Sequence, residues 1–196
     1  MGEPKYPRLL STRLSGDEEF KNAGINGNFS VKDYWSWAHS NLVANVERGA
    51  LAEYLVATAL GISSGDSWRD LWTDSDLIDG KIRIEVKSAS YIQDWDQPDY
   101  SKIKFAGLKG RSVFDLENKG VKEYKSDIYV FCLQAHKDHA TFDILNLDQW
   151  RFWVFTRQEL FDLSNNAASI SLKRIEEHGH PSLEFAELAA SIRANY

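Results

Sequence analysis

The sequence predicts an α/β domain with a mixed central β-sheet flanked by α-helices, and three observations carry that prediction. A helical stripe ending in glycine occupies NLVANVERGALAEYLVATALG. A strand pair flanks Asp79-Gly80, where DSDLIDGKIRIEVKS alternates apolar and charged residues with a period of two. Two further runs, SDIYVFCLQA and WRFWVF, are dense in β-branched and aromatic residues before the chain returns to helical spacing.

The elements follow in chain order. Residues 1–29 read as irregular, with Pro4 and Pro7 near the start. A short helix is expected in SVKDYWSWAHS, with Ser30 as N-cap and Asp33 completing a capping box. In the longer helix Leu51, Leu55 and Ala59 form the stripe, and Gly61 is the stop. The hairpin, taken as a symmetric turn centred on Asp79-Gly80, puts Leu77 opposite Ile82, Asp76 opposite Arg83 and Asp74 opposite Glu85. ATFDILNL is a candidate strand between the two apolar runs. TRQELFDLS and a C-terminal segment over 182–195, introduced by Pro181 and Ser182, are expected helices.

A chain of 196 residues with 43% apolar content and no Pro/Gly-rich linker is expected to form one domain, 1–196, with a full core. No run approaches the length needed to cross a bilayer and no signal-peptide pattern opens the sequence, so no membrane association and a cytoplasmic location are expected. Cys132, alone of its kind, lies in an apolar run and is expected to be a buried hydrophobe. Most of the seven Trp are expected in the core or at its rim.

The net charge of −6 argues against nonspecific coating of nucleic acid. From Ser101 to Ser126, however, seven Lys or Arg face three acids, a local balance of +4. Lys102, Lys104, Lys109 and Arg111 open that stretch and Lys119, Lys122 and Lys125 close it; it is the natural place for phosphate contacts, with a solvated Lys-rich surface as the alternative.

The charged face of IRIEVK decides between a plain solvated strand and a site. Glu85 and Lys87 share that face, and Asp76, nine residues before Glu85 on the partner strand, can bring a second carboxylate to the same cation. Upstream, Glu53 is flanked at helical spacing by Gly49, Ala50 and Ala57, small residues that let the helix approach the sheet and its carboxylate reach the face carrying Glu85. Arg83 has no assigned role beyond pairing with Asp76 or Asp74 when no metal is bound. His136 and His139 have metal-compatible spacing but no completing Cys or acid, so a polar turn is the better reading.

These residues resemble the PD-(D/E)XK, or restriction-endonuclease-like, nuclease superfamily. The pattern covers about residues 41–95: GALAE on a helix, Asp76-Leu77 opening the hairpin, then Ile84-Glu85-Val86-Lys87. The wider wording RGALAEYLVATALG, IEVKSASYIQDW, KSDIYVFCLQAHKD and LDQWRFWVF is similar to a bacterial group assigned to that superfamily. Ser75 stands where proline is common in the superfamily, which leaves Asp74 as a competing ligand.

The resemblance implies a restriction-endonuclease-like core and a Mg²⁺-dependent nuclease, with Mn²⁺ able to substitute. DNA is expected ahead of RNA, and an endonuclease role in defence or repair. Asp76, Glu85 and the backbone carbonyl of Val86 would hold the ion, Lys87 would orient the attacking water and stabilise transition-state charge, and Glu53 would act from behind them. Tyr91 and Gln93 are candidates for contact with the scissile strand, and Trp95 for stacking on a base. Double-strand cutting would call for a homodimer, since one such site cuts one strand. The alternative is a catalytically inactive nucleic-acid-binding or assembly subunit with the same fold.

Overall fold

The computed structural model describes residues 5–22, 25–111 and 122–196. Where the sequence suggests one domain, the chain gathers into two compact units. One comprises residues 1–40 with 64–68, the other residues 41–63 with 69–196.

The first unit is a hairpin followed by a helix. Strands β1 (Glu19–Asn22) and β2 (Ile25–Ser30) pair antiparallel, so the segment expected to be irregular carries regular structure. Phe20 and Phe29 stack across it with ring centroids 5.0 Å apart, the kind of cross-strand aromatic pair that stabilises a ribbon. Ser30 then caps helix α1 (Val31–Ala38) in a reciprocal capping box with Asp33, as the sequence predicts. Among the described residues no apolar side chain of this unit is buried.

The second unit is built on a four-stranded mixed sheet of β3 (Leu77–Asp79), β4 (Ile82–Ser90), β6 (Ile128–Gln134) and β7 (Trp150–Thr156), in that spatial order. β3 and β7 are antiparallel to their neighbours, whereas β4 and β6 run parallel. All seven residues of β6 are buried, which explains its continuous apolar run: both faces of a central strand are covered.

One face packs on helices α2 (Asn45–Leu60) and α5 (Phe185–Arg193) through Ile84, Val86, Val130, Cys132 and Phe152, against Ala52, Val56, Leu188 and Ile192. The opposite face carries Tyr129, Phe131, Leu133, Trp153 and Phe155. It is covered by Phe105 of β5 (Lys104–Ala106), Leu160 of α3 (Arg157–Ser164), Ile170 of β8 (Ser169–Ser171) and Ile175 of α4 (Leu172–Glu177). Helix α2 ends at Gly61 in the left-handed conformation, φ +74°, the stop that its sequence predicts.

Several sequence expectations are corrected. ATFDILNL forms turns and a short 3-10 stretch at Leu147–Gln149 rather than a strand. The C-terminal helix begins at Phe185, not at 182, because Leu183 pairs as a bridge with Phe152, both N–H to carbonyl bonds formed at 2.8 and 3.0 Å. Of the tryptophans only Trp150 and Trp153 are buried; Trp35, Trp37, Trp68, Trp72 and Trp95 are exposed.

The hairpin register also differs. Asp79 lies opposite Ile82, Ile78 opposite Arg83 and Leu77 opposite Ile84, so the two-residue loop is Gly80-Lys81. Gly80 has φ +62° while Asp79 stays in the strand, the arrangement of a turn with glycine at its first central position.

Candidate active site

The shifted register brings Asp76, one residue before β3, level with Glu85 on the next strand. Leucine 77 is the last residue on that side to join the ladder, so the edge of β4 beyond it is open, and the Asp76 carboxylate fills the gap. Its Oδ2 accepts the Val86 backbone N–H at 2.8 Å. Backbone N–H and C=O of one strand residue point to the same edge, so the Val86 carbonyl is directed toward the edge that Asp76 occupies.

Glu85 and Lys87 lie on the face opposite Ile84 and Val86, as the period of two requires. The Lys87 ammonium donates to Glu85 Oε1 and lies 3.9 Å from Asp76 Oδ2. All three side chains are 18–26% exposed, accessible but poorly hydrated. Burial, and then the Glu85 carboxylate, push Asp76 up to about 6, with a smaller upward push from Glu53; Lys87 and the Val86 N–H oppose them.

Glu85 is further held by a buried hydroxyl pair. The single proton of Ser126 Oγ is shared between two acceptors, Ser75 Oγ at 2.8 Å and Glu85 Oε2 at 3.3 Å. Ser75, where the superfamily pattern commonly has proline, thus ties the Asp76 segment to the start of β6. Asp74 belongs to a different contact: it accepts from Lys125 Nζ at 3.0 Å, and the same ammonium donates to the Arg111 carbonyl. Asp74, Ser75, Asp76 and Glu85 line a solvent-open cleft together with Gly107, Leu108, Gly110, Arg111 and Lys125.

Glu53 does not reach the face carrying Glu85. Its helix α2 packs on the Ile84 and Val86 face, and the buried Glu53 carboxylate takes a two-pronged bond from Arg69, with Nη2 to Oε1 at 2.7 Å. Its charge still bears on Asp76, which stands at the sheet edge between the two faces. Arg83 pairs with neither Asp76 nor Asp74. It makes a fork with Asp127, Nε to Oδ2 at 3.1 Å and Nη2 to Oδ1 at 2.9 Å.

The predicted nucleic-acid contacts are divided. Gln93 is engaged within the fold: its amide donates to the Ser90 carbonyl and Ser101 Oγ at 2.8 and 3.0 Å, and accepts from Arg48 at 3.2 Å. Tyr91 packs on the core with the Lys137 ammonium 4.2 Å from its ring centre. Lys102, just before β5, and Lys104, its first residue, are exposed and outside the cleft lining, and Lys109 lies over the Tyr124 ring at 5.4 Å. Arg111 lines the cleft, whereas Lys119 lies outside the described residues. His136 bonds Thr141 in a turn, as expected of a structural histidine.

Sequence reasoning missed Ser126 and Ser75 as site neighbours and placed Lys125 only within the basic stretch, not beside Asp74. The signal was present: a parallel alignment of IEVK with IYVF, the observed Glu85 to Tyr129 register, brings the preceding Lys125-Ser126 to the strand end near the carboxylates. Among the described residues no group of three or more His, Cys, Asp or Glu is gathered as a metal site, and no helix is long and apolar enough to cross a membrane. Comparison of the chain with protein-family models, curated proteins and solved structures returned no match.

Proposed function

We propose that this chain is a Mg²⁺-dependent nuclease with a restriction-endonuclease-like core, hydrolysing phosphodiester bonds, with DNA as substrate and an endonuclease role in defence or repair. The observation that carries the reading is the meeting of Asp76, Glu85 and Lys87 at the open edge of β4, beside a cleft.

The donor set fits a hard divalent cation. Mg²⁺ is held by one or two carboxylates with waters and substrate oxygens completing its shell, so a site of two carboxylates and one carbonyl is sufficient. Asp76, Glu85 and the Val86 carbonyl would hold it, and Mn²⁺ would be accepted by the same oxygens. Burial first, and then repulsion by the Glu85 carboxylate, raise Asp76; a cation at the site would offset both. When bound, the ion supplies Lewis-acid stabilisation of charge on the phosphoryl oxygens.

The remaining roles belong to the chain. The Lys87 ammonium, already beside both carboxylates, orients the attacking water and stabilises the negative charge that builds in the transition state. The Ser75 and Ser126 hydroxyls hold Glu85 and the Asp76 segment in register. Glu53 fixes Arg69 behind the site and bears on Asp76 through its charge.

Cleavage of linear, branched and single-stranded oligonucleotides in Mg²⁺ and Mn²⁺ tests the proposal. Lys87→Ala and Glu85→Ala are expected to abolish cutting while the circular dichroism spectrum stays that of the wild type. Wild-type cutting by either variant overturns the proposal. A wild type that binds nucleic acid and never cuts it leaves the non-catalytic binding subunit in its place.

A further inference from the structure

We infer that Lys125 is a phosphate-contacting residue of the cleft and that Asp74 is its anchor rather than a metal ligand. This rests on the nuclease reading above and assigns the cationic part of the cleft lining.

The argument starts from where Asp74 points. Its Oδ1 accepts from Lys125 Nζ at 3.0 Å, and the same ammonium donates to the Arg111 carbonyl. Asp76, in contrast, is tied to the Val86 N–H and stands beside Lys87. The two aspartates, two residues apart, therefore serve two different lysines. Asp74 is committed to a cation of the chain itself, while Asp76 shares its surroundings with a second carboxylate.

Lys125 is built into its place. Its side chain is only 12% exposed, and its stem runs past Gly110, where an added Cβ would stand 3.7–3.9 Å from the lysine's Cδ, Cε and Nζ. Gly110 is itself fixed by a pair of backbone bonds with Glu123 at 3.0 and 3.2 Å. A lysine held at both ends of its stem offers its ammonium at a fixed point in the cleft, next to Arg111.

Lys125 and Arg111 line the same cleft as Asp76 and Glu85. A phosphodiester entering it meets these cations beside the carboxylates, and a lysine contact fixes the backbone without reading sequence. Hence Lys125 binds a backbone phosphate of the substrate, with Asp74 and the Arg111 carbonyl setting where the ammonium stands.

The test is equilibrium binding, which needs no cleavage. Duplex DNA, single-stranded DNA and RNA oligonucleotides are titrated by fluorescence anisotropy in Ca²⁺ at 50–300 mM salt, and the tightest binder is carried forward. Lys125→Gln is expected to make the slope of log K against log salt shallower by about 0.7–0.9, the loss of one phosphate contact. Lys125→Arg keeps the wild-type slope. Asp74→Asn weakens binding without changing the calorimetric Mn²⁺ affinity, whereas Asp76→Asn removes Mn²⁺ binding. Thermal melts confirm that each variant is folded, and the Lys125→Arg protein carries the test if Lys125→Gln is not. An unchanged slope in Lys125→Gln, a loss of slope in Lys125→Arg, or loss of Mn²⁺ binding in Asp74→Asn overturns this inference and leaves the nuclease reading standing. A wild type that binds none of the oligonucleotides overturns both.

Discussion

Replacing Asp76 with asparagine is expected to stabilise the metal-free protein at neutral pH while removing its activity. The Asp76 carboxyl is pushed from 3.8 to about 6, so between those values the folded protein keeps a proton that the unfolded chain has released. The stability linked to that proton is complete below the unfolded value of 3.8 and is lost as pH rises through about 6. Two pH units correspond to about 3 kcal/mol, taking about 1.36 kcal/mol for each. The attraction to Lys87 is already contained in that value, and with the side chain 26% exposed solvent screening leaves about 1–2 kcal/mol as the expected share. Asparagine has no such loss, and its side-chain oxygen can still accept the Val86 N–H.

Urea unfolding of the wild type and Asp76→Asn in EDTA, from pH 4 to pH 8, measures the effect as a difference in midpoint at constant slope. The variant's stability relative to wild type should rise by about 1–2 kcal/mol between pH 4 and pH 8, with the change centred near pH 5–6. Added Mg²⁺ should stabilise the wild type and not the variant, since a ligand stabilises only the state that binds it. A difference that stays flat or shrinks as pH rises would refute the crowding of carboxylates at this edge.

Two further outcomes follow from the same packing. Asp127 accepts from the Arg83 side chain and backbone and from Arg157 Nη2 at 2.7 Å, and the Arg83 bond above all holds its carboxyl below the ordinary value. With these side chains 35–43% exposed, Asp127→Ala should cost about 1–2 kcal/mol in urea unfolding at pH 7. The difference should fade as pH drops below 3.8, where the folded carboxylate takes up its proton. Cys132 has no exposed surface and burial pushes its thiol up, so a charged thiol reagent at pH 8 should label it in urea and not in the native protein. Native labelling at the unfolded rate would contradict its place between α2 and the sheet.

Much of the sheet was legible because its signals are local. The period of two in IRIEV sorts Ile84 and Val86 from Glu85 and Lys87, and the all-apolar β6 follows from coverage on both faces. Capping boxes at Ser30 and Thr156 are likewise written within four residues. ATFDILNL fails as a strand although its composition suits one, because its polar side chains compete for the backbone. Asp143 accepts the Leu145 N–H at 2.9 Å, Asn146 the Asp148 N–H at 3.0 Å, and Gln149 bonds the Thr141 carbonyl at 2.8 Å. Arg83's partner was not legible: Asp127 is 44 residues away and reaches it through the parallel pairing of β4 and β6.

The hairpin shows how an error in register can leave a site readable. A turn centred on Asp79-Gly80 and one centred on Gly80-Lys81 differ by two in the pairing, and a shift of two preserves which face each side chain takes, whereas a shift of one would reverse it. The predicted face of Glu85 and Lys87 therefore survives. The predicted neighbour does not: Asp74 was expected opposite Glu85, but the observed pairing carries Asp76 to that level and leaves Asp74 to Lys125. Choosing the turn required knowing that Asp79 keeps a strand conformation while Gly80 takes the positive φ, a distinction that the dipeptide alone does not encode. One glycine's place in a two-residue loop thus selects which aspartate joins Glu85 and Lys87, and with it which lysine each aspartate holds.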